Sequence, residues 1–174
     1  MNETIQTIHQ RASCRAYQET PVPKDLLNAV IDSGLQAPSA MNLQKDTITA
    51  ITNKELIKDL SKGIALALDK PETYSCFYHA PCIIIVSGPK DYYALVTDGS
   101  AMLQNMFLAA TSIELGSCWI NQLCGIEDRP EIRALLDRCK IPSNHHVCGC
   151  VSLGYATKQA SPTEKSTQRI TIIE

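Results

Sequence analysis

The chain has 174 residues, of which 44% are hydrophobic and 20% charged, and its formal net charge is −2 at pH 7. Such values suit one globular domain. They exclude bulk electrostatic attraction to nucleic acid or to an anionic membrane, so any basic site must be local.

The opening Met1-Asn2-Glu3-Thr4-Ile5-Gln6 is acidic and polar, without the basic and apolar regions of a signal peptide. Residues 4–13 place Ile5, Ile8 and Ala12 at helical spacing, with Asn2 or Thr4 as cap. Arg15-Ala16-Tyr17 reads as extended chain, and a loop with Pro21 and Pro23 follows. A second helix starts near Lys24, carries Leu27, Val30, Ile31 and Gly34 on one face, and stops before Pro38. Residues 46–52 alternate as a strand. Asn53 can cap a helix bearing Leu56, Ile57, Leu60, Ile64 and Leu68. Residues 71–81 read as loop, with Tyr74, Phe77 and Tyr78. The apolar run 82–86, between Pro81 and Gly88, predicts a strand buried on both faces.

Residues 98–115 form the most apolar helix of the chain. Their polar residues do not segregate, which predicts burial in a core or an interface. The charge-free run between Asp98 and Glu114 is too short to span a bilayer. A brief strand is expected over 117–120. Pro130 opens a helix with Ile132, Leu135 and Leu136, and 147–153 form a strand closed by Gly154. In that strand Cys148 and Cys150 are expected to point the same way. The tail 155–174 is polar and ends Arg169-Ile170-Thr171-Ile172-Ile173, an edge-strand pattern suited to a second subunit. The fold class is therefore α+β: a three-layer α/β/α domain over 1–174 with four or five strands. The eight cysteines, at 14, 76, 82, 118, 124, 139, 148 and 150, include no Cys-x-x-Cys pair and are expected as reduced thiols in a cytoplasmic protein.

Four constellations can carry chemistry. In Arg11-x-Ser13-x-Arg15, where helix gives way to extended chain, alternate side chains share a side. Two guanidiniums and a hydroxyl suit a phosphate or an anionic ring edge. The plainer reading is that Arg11 lies at a helix C-terminus, where cations are favoured anyway. The second is Ala37-Pro38-Ser39-Ala40-Met41-Asn42-Leu43-Gln44. Its small residues allow close backbone approach to a flat ligand, and its amides match heterocyclic carbonyl and imide edges; it also serves as a plain helix-to-strand turn. The third, Leu115-Gly116-Ser117-Cys118-Trp119-Ile120-Asn121, can present backbone amides and the lone tryptophan to a cofactor, or simply bury Trp119. The fourth is Arg169, with Lys165 near it; tail cations are ordinarily solvated.

Together these segments resemble the nitroreductase-like family of FMN-dependent, NAD(P)H-oxidising enzymes. Arg11-Ala12-Ser13-Cys14-Arg15-Ala16-Tyr17 is similar to its opening signature. Pro21-Val22-Pro23 with Leu26-Leu27, the segment from Ala37 to Gln44, Ala80-Pro81, Gly116-Ser117-Cys118-Trp119-Ile120 and Leu153-Gly154-Tyr155 follow in the family's order. The resemblance implies a homodimer with FMN at the subunit interface and a mostly antiparallel central sheet. Arg11 and Arg169 would hold the phosphate, Ser13 (beside Ala12) the phosphate or ribityl chain, and Arg15 the N1/O2 side of the ring. Pro38, Ser39, Ala40 and Asn42 would come from the other subunit and cover the ring; Trp119, Ile120 and Asn121 would lie along its opposite face or N5 edge. Hydride would pass from NAD(P)H through FMN to an electron-poor acceptor such as a nitroaromatic or quinone, in a ping-pong cycle without a dedicated acid–base residue. A flavin-binding protein without efficient turnover, for storage or sensing, is the alternative.

The chain departs from the family pattern at Lys45-Asp46, where proline and an aromatic commonly follow the glutamine. It departs again at Glu114, where glycine is usual and where a buried carboxylate would need a partner. Residues 66–78 are short, with Tyr74 and Tyr78 as candidate substrate contacts. No Gly-x-Gly-x-x-Gly or Walker-type loop occurs, so a nicotinamide donor would bind transiently over the flavin. His145-His146-x-Cys148-x-Cys150 lacks the usual zinc spacing, and no metal is expected.

Overall fold

The computed structural model describes residues 1–158 and 160–174. Helix α1 (Glu3–Gln10) starts where the Asn2 side chain accepts the Ile5 N–H. Helix α2 (Lys24–Leu35) follows Pro23 and packs on helix α4 (Leu95–Ser112). Helix α3 (Lys54–Ala67) is capped by Asn53, which accepts from Leu56 N, and it packs on helix α5 (Pro130–Arg138). Between these pairs lies one antiparallel sheet of β1 (Thr47–Ile51), β2 (Cys82–Pro89), β3 (Gly116–Ile120) and β4 (His145–Gly154), in the order β1-β2-β4-β3. The expected three-layer α+β architecture is thus present, with four strands. Among the described residues no helix is long and apolar enough to cross a membrane.

Strand β2 shows why residues 82–86 are apolar without interruption. Ile83 and Ile85 face a core with Leu60, Ile64, Phe77, Ile132 and Leu136. Cys82, Ile84 and Val86 face the other, with Val30, Leu103, Met106 and Phe107. A central strand covered on both faces cannot alternate in polarity. Burying each large side chain is worth about 1.5–3 kcal/mol relative to exposure.

One local feature differs from expectation. A β-bulge between Val86 and Ser87 makes Gly149 and Val147 their partners and leaves Cys148 extra. Cys148 therefore packs with the α4 side, its thiol beside Gly99, while Cys150 faces the α3/α5 side. The two thiols point opposite ways because a bulge breaks the period of two. A Cβ on Gly99 would fall 2.6 Å from the Cys148 sulfur, so α4 can lie on the bulge only with glycine there. In the tail, Thr157 N donates to Ala16 O at 3.0 Å, and Ala160 and Pro162 share a pocket with Gln10 and Ala12. Over 170–174 no strand forms within the protomer, and Ile170, Ile172 and Ile173 are exposed, as a segment expected to pair with a second subunit would be.

Glu114 has φ +62° and follows α4. Its N–H reaches Thr111 O at 3.3 Å and Leu115 N reaches Ala110 O at 2.8 Å, the paired bonds of a Schellman ending. This explains why glycine is favoured there. The Glu114 side chain is exposed, so the partner that a buried carboxylate would have required is unnecessary.

Candidate cofactor site

After α1 the chain runs extended along β3. Ser13 forms a parallel bridge with Ser117, and Cys14 N donates to Ser117 O at 2.8 Å. The Tyr17 hydroxyl donates to Cys14 O at 2.9 Å and to Ser152 O at 3.2 Å. Cys14 and Tyr17 are buried, so Ser13 and Arg15 point outward, with Arg11 and Ala12 half-buried beside them. Burial pushes the Cys118 thiol up, and the Arg15 charge, the Ser13 hydroxyl and the Arg11 charge oppose that rise. The buried Ser117 hydroxyl at this corner has no hydrogen-bond partner.

The chain has six arginines. Arg133 pairs with Asp137 and Arg138 with Asp59, while Arg129 donates to Ala67 O. Among the described residues, Arg11, Arg15 and Arg169 enter no ion pair. The structural arginines are therefore separate from those expected to bind an anion. Arg15 instead has its guanidinium 6.0 Å from the centre of the Tyr78 ring, within cation–π range.

The segment opposite Arg15 was legible only in part. Tyr74 and Tyr78 were candidates for substrate contact; Gln122 gave no signal. Gln122 Nε2 donates to the Tyr74 hydroxyl at 3.2 Å, and its Oε1 accepts from Asn121 N at 3.1 Å. Cys124 donates to Asn121 Oδ1 at 3.2 Å. Asn121 is thus held from two sides, at its backbone N–H and at its carboxamide oxygen. Trp119 and Ile120 diverge: Ile120 is buried in the α3/α5 core, so it can offer only backbone. Trp119 leans on Phe107 across the other face, at 5.7 Å between centroids, and stays 39% exposed.

The 38–42 loop lies elsewhere. A 3₁₀ turn spans Ala40–Asn42, with Met41, Asn42 and Gln44 at φ +51°, +56° and +50°. Ala40 N donates to Asp98 Oδ2 at 2.9 Å, and the Tyr92 hydroxyl donates to the same oxygen at 2.5 Å. Gln44 N donates to Ser39 Oγ at 3.2 Å, and Gln44 Nε2 to Asn42 Oδ1 at 2.7 Å. A loop with three non-glycine left-handed residues persists only when its surroundings hold it. The buried Asp98 supplies that hold, leaving Pro38 and Asn42 exposed.

Behind this loop Asp46 shares a cavity of about 220 Å3 with Asp98, Ser39 and Gln44. Burial first, and the Asp98 charge second, raise the Asp46 carboxyl to about 6. A carboxyl raised on folding stabilises while protonated, and that contribution is lost as pH rises through the folded value. Asp46→Asn is therefore expected to melt close to the wild type near pH 3–4 and above it at pH 8, with the gap growing from the unfolded carboxyl value near 4 and complete just above the folded value of about 6. A gap that is constant with pH contradicts this.

The 11–15 segment docks on β3 and the 38–42 loop leads into β1, the two edge strands. Their ends are also opposed: Thr47 aligns with Ser87, whereas Ser117 aligns with Leu153 and Cys82. Strand spacing and rise place the two segments roughly 20 Å apart, at opposite corners. One chain does not bring them together, and Arg169 sits in the exposed tail. Among the described residues no three metal-ligating side chains cluster. His145 shares a hydrogen bond with Ser87, and His146 lies 2.6 Å from the buried Glu127.

A family model described as "Nitroreductase family" matches residues 8–155. The chain is similar to a crystal structure of a nitroreductase with bound FMN from Bacteroides fragilis: TM-score 0.94 and 41% identity, with both chains fully covered. It is also similar to a nitroreductase with bound FMN from Desulfitobacterium hafniense, at TM-score 0.91 and 27% identity, again with full coverage of both. A provisionally named NADH dehydrogenase/NAD(P)H nitroreductase of Archaeoglobus fulgidus is 29% identical over 160 residues, covering 89% of this chain and 86% of that protein.

Proposed function

We propose, from the premise that the chain belongs to the nitroreductase family, that residues 1–174 act as one FMN-binding domain. Two copies would form a cytoplasmic homodimer, where the eight free thiols stay reduced. NAD(P)H would be oxidised, and a nitroaromatic, quinone or similar electron-poor compound reduced, by alternate occupation of one open position. The observation that carries this reading is the division of the site. The cationic corner at 11–15 and the small-residue segment at 38–42 lie at opposite ends of the sheet, which supports a site completed by a second chain. A symmetric pair then has two equivalent sites.

The residues present fit FMN. Two guanidiniums without carboxylate partners and the Ser13 hydroxyl form a set of anion donors, and Ser117 keeps an unused hydroxyl beside them. When bound, FMN supplies the two-electron carrier between donor and acceptor. Arg11 and Ser13 bind the phosphate, with Arg169 of the tail joining across the dimer. Arg15, steadied by Tyr78, places positive charge at the N1/O2 edge. Asn121 directs its amide at the N5 edge, backbone of Ile120 lines that edge, and Trp119 walls the site. Pro38, Ser39, Ala40 and Asn42 of the second copy exclude water from the ring. No side chain is required to move a proton, which solvent can deliver.

A visible spectrum of the purified protein tests this directly. The expected result is a flavin spectrum at about one FMN per chain, bleached by NADH or NADPH without air and restored by a quinone. A colourless protein that takes up no added FMN overturns the reading. Bound flavin that no donor bleaches faster than free FMN leaves the storage or sensing alternative.

A further inference from the structure

A second groove lies apart from the 11–15 and 38–42 segments. It lies between α3 and residues 72–81 and encloses about 490 Å3, a size typical of small-molecule sites. Ile57, Ala80 and Pro81 form its floor, and Lys54, Lys58 and Lys62 stand along its rim. These lysines are four residues apart on one helix face, where like charges repel. Lys54 is moreover the first residue of α3, at the end where the helix dipole disfavours a cation. Lys62 is paired with Glu72 at 3.4 Å, whereas Lys54 and Lys58 enter no ion pair among the described residues. Glu19 and Glu72 are the acidic groups facing the groove.

The groove is one loop away from the cofactor corner. Tyr78 and His79 take φ +55° and +60° in succession, an uncommon conformation for bulky residues. Tyr78 meets Arg15 while His79 lines the groove. Tyr74 also belongs to both, lining the groove and accepting from Gln122. A ligand with one end at Asn121 and Arg15 can therefore cross this loop and lay its other end between α3 and the loop.

Resting on the function proposed above, we infer that this groove receives the adenosine end of the hydride donor, with Lys54 and Lys58 at its 2′-phosphate, so that NADPH is the preferred donor. The apolar floor suits an adenine face, and the unpaired ammonium groups suit a phosphate that NADH lacks. The test is steady-state kinetics of the FMN-loaded enzyme with each donor, for the wild type and for Lys54→Glu/Lys58→Glu. The wild type is expected to favour NADPH. The variant is expected to raise KM for NADPH by about tenfold or more, the worth of one charge-assisted hydrogen bond. Its KM for NADH should change by no more than about twofold. Equal use of both donors by the wild type, or parallel losses with both in the variant, overturns the inference. If neither donor reduces the flavin, the proposed function fails instead. Calorimetry with adenosine 2′,5′-bisphosphate then decides the groove alone: binding that the variant abolishes supports it, and no binding overturns it.

Discussion

Arg11→Ala/Arg15→Ala is expected to bind FMN at least about a hundredfold more weakly than the wild type, because each lost charge-assisted contact is worth roughly 1.5–3 kcal/mol. The fold should survive. Neither arginine holds a carboxylate, and the segment between them is fixed by backbone bonds and by Cys14 and Tyr17, which the substitutions leave alone. Melting temperature should therefore change by only a few degrees, as for substitutions outside the core. The single variants separate two roles. At Arg11, lysine should retain much of the affinity, since a phosphate accepts a point charge. At Arg15 lysine should not, because the planar guanidinium both faces Tyr78 and matches a heterocyclic edge. Arg15→Ala should also lower the flavin reduction potential, by about 30 mV for each 1.4 kcal/mol of lost preference for the reduced anion. Equilibrium titration with FMN and a redox titration of the loaded protein check both. Undiminished FMN affinity in the double variant would mean that the anion site lies elsewhere.

What could be read from the sequence was what depends on neighbours along the chain. Asn53 ahead of an apolar-periodic run, Pro130 at a first helical turn and the 82–86 run between Pro81 and Gly88 each state a local structure, and each forms as read. The 11–15 motif was legible for the same reason: one residue in two projects outward from extended chain. What depends on partners in space was not legible. The bulge that turns Cys148 away from Cys150 exists only in the pairing of β4 with β2. The left-handed pair Tyr78-His79 carries no glycine or asparagine to announce it. Ile120 and Trp119 looked equivalent in the motif, yet the edge strand sends them to opposite faces. The isoleucines of the tail have a strand pattern and no strand within this protomer, since a pattern does not name its partner. Sheet order is a property of the same kind. The two halves of the proposed site, 11–15 and 38–42, are about 27 residues apart in sequence and at opposite corners of the sheet in space, because β1 and β3 are both edges.

That separation makes the second large effect predictable. Ser39→Trp puts a bulky ring into the cover, where small residues let the backbone approach a flat ligand. The homodimer of this variant should lose bound FMN, although Ser39 is roughly 20 Å from the arginines of its own chain. A site contained in one protomer would be little affected at that distance. The two defects should also cancel when placed on different chains. In a heterodimer of Ser39→Trp with Arg11→Ala/Arg15→Ala, one site receives both defects and the other receives neither.

The decisive measurement is therefore the FMN content after these two variants are mixed, unfolded together and refolded, each alone being colourless. Random pairing makes half of the dimers mixed, each with one intact site, so the account predicts recovery of about a quarter of the wild-type flavin. Mixed dimers that form, as shown by separable tags, and that hold no more FMN than either parent would contradict a site built from opposite corners of two chains.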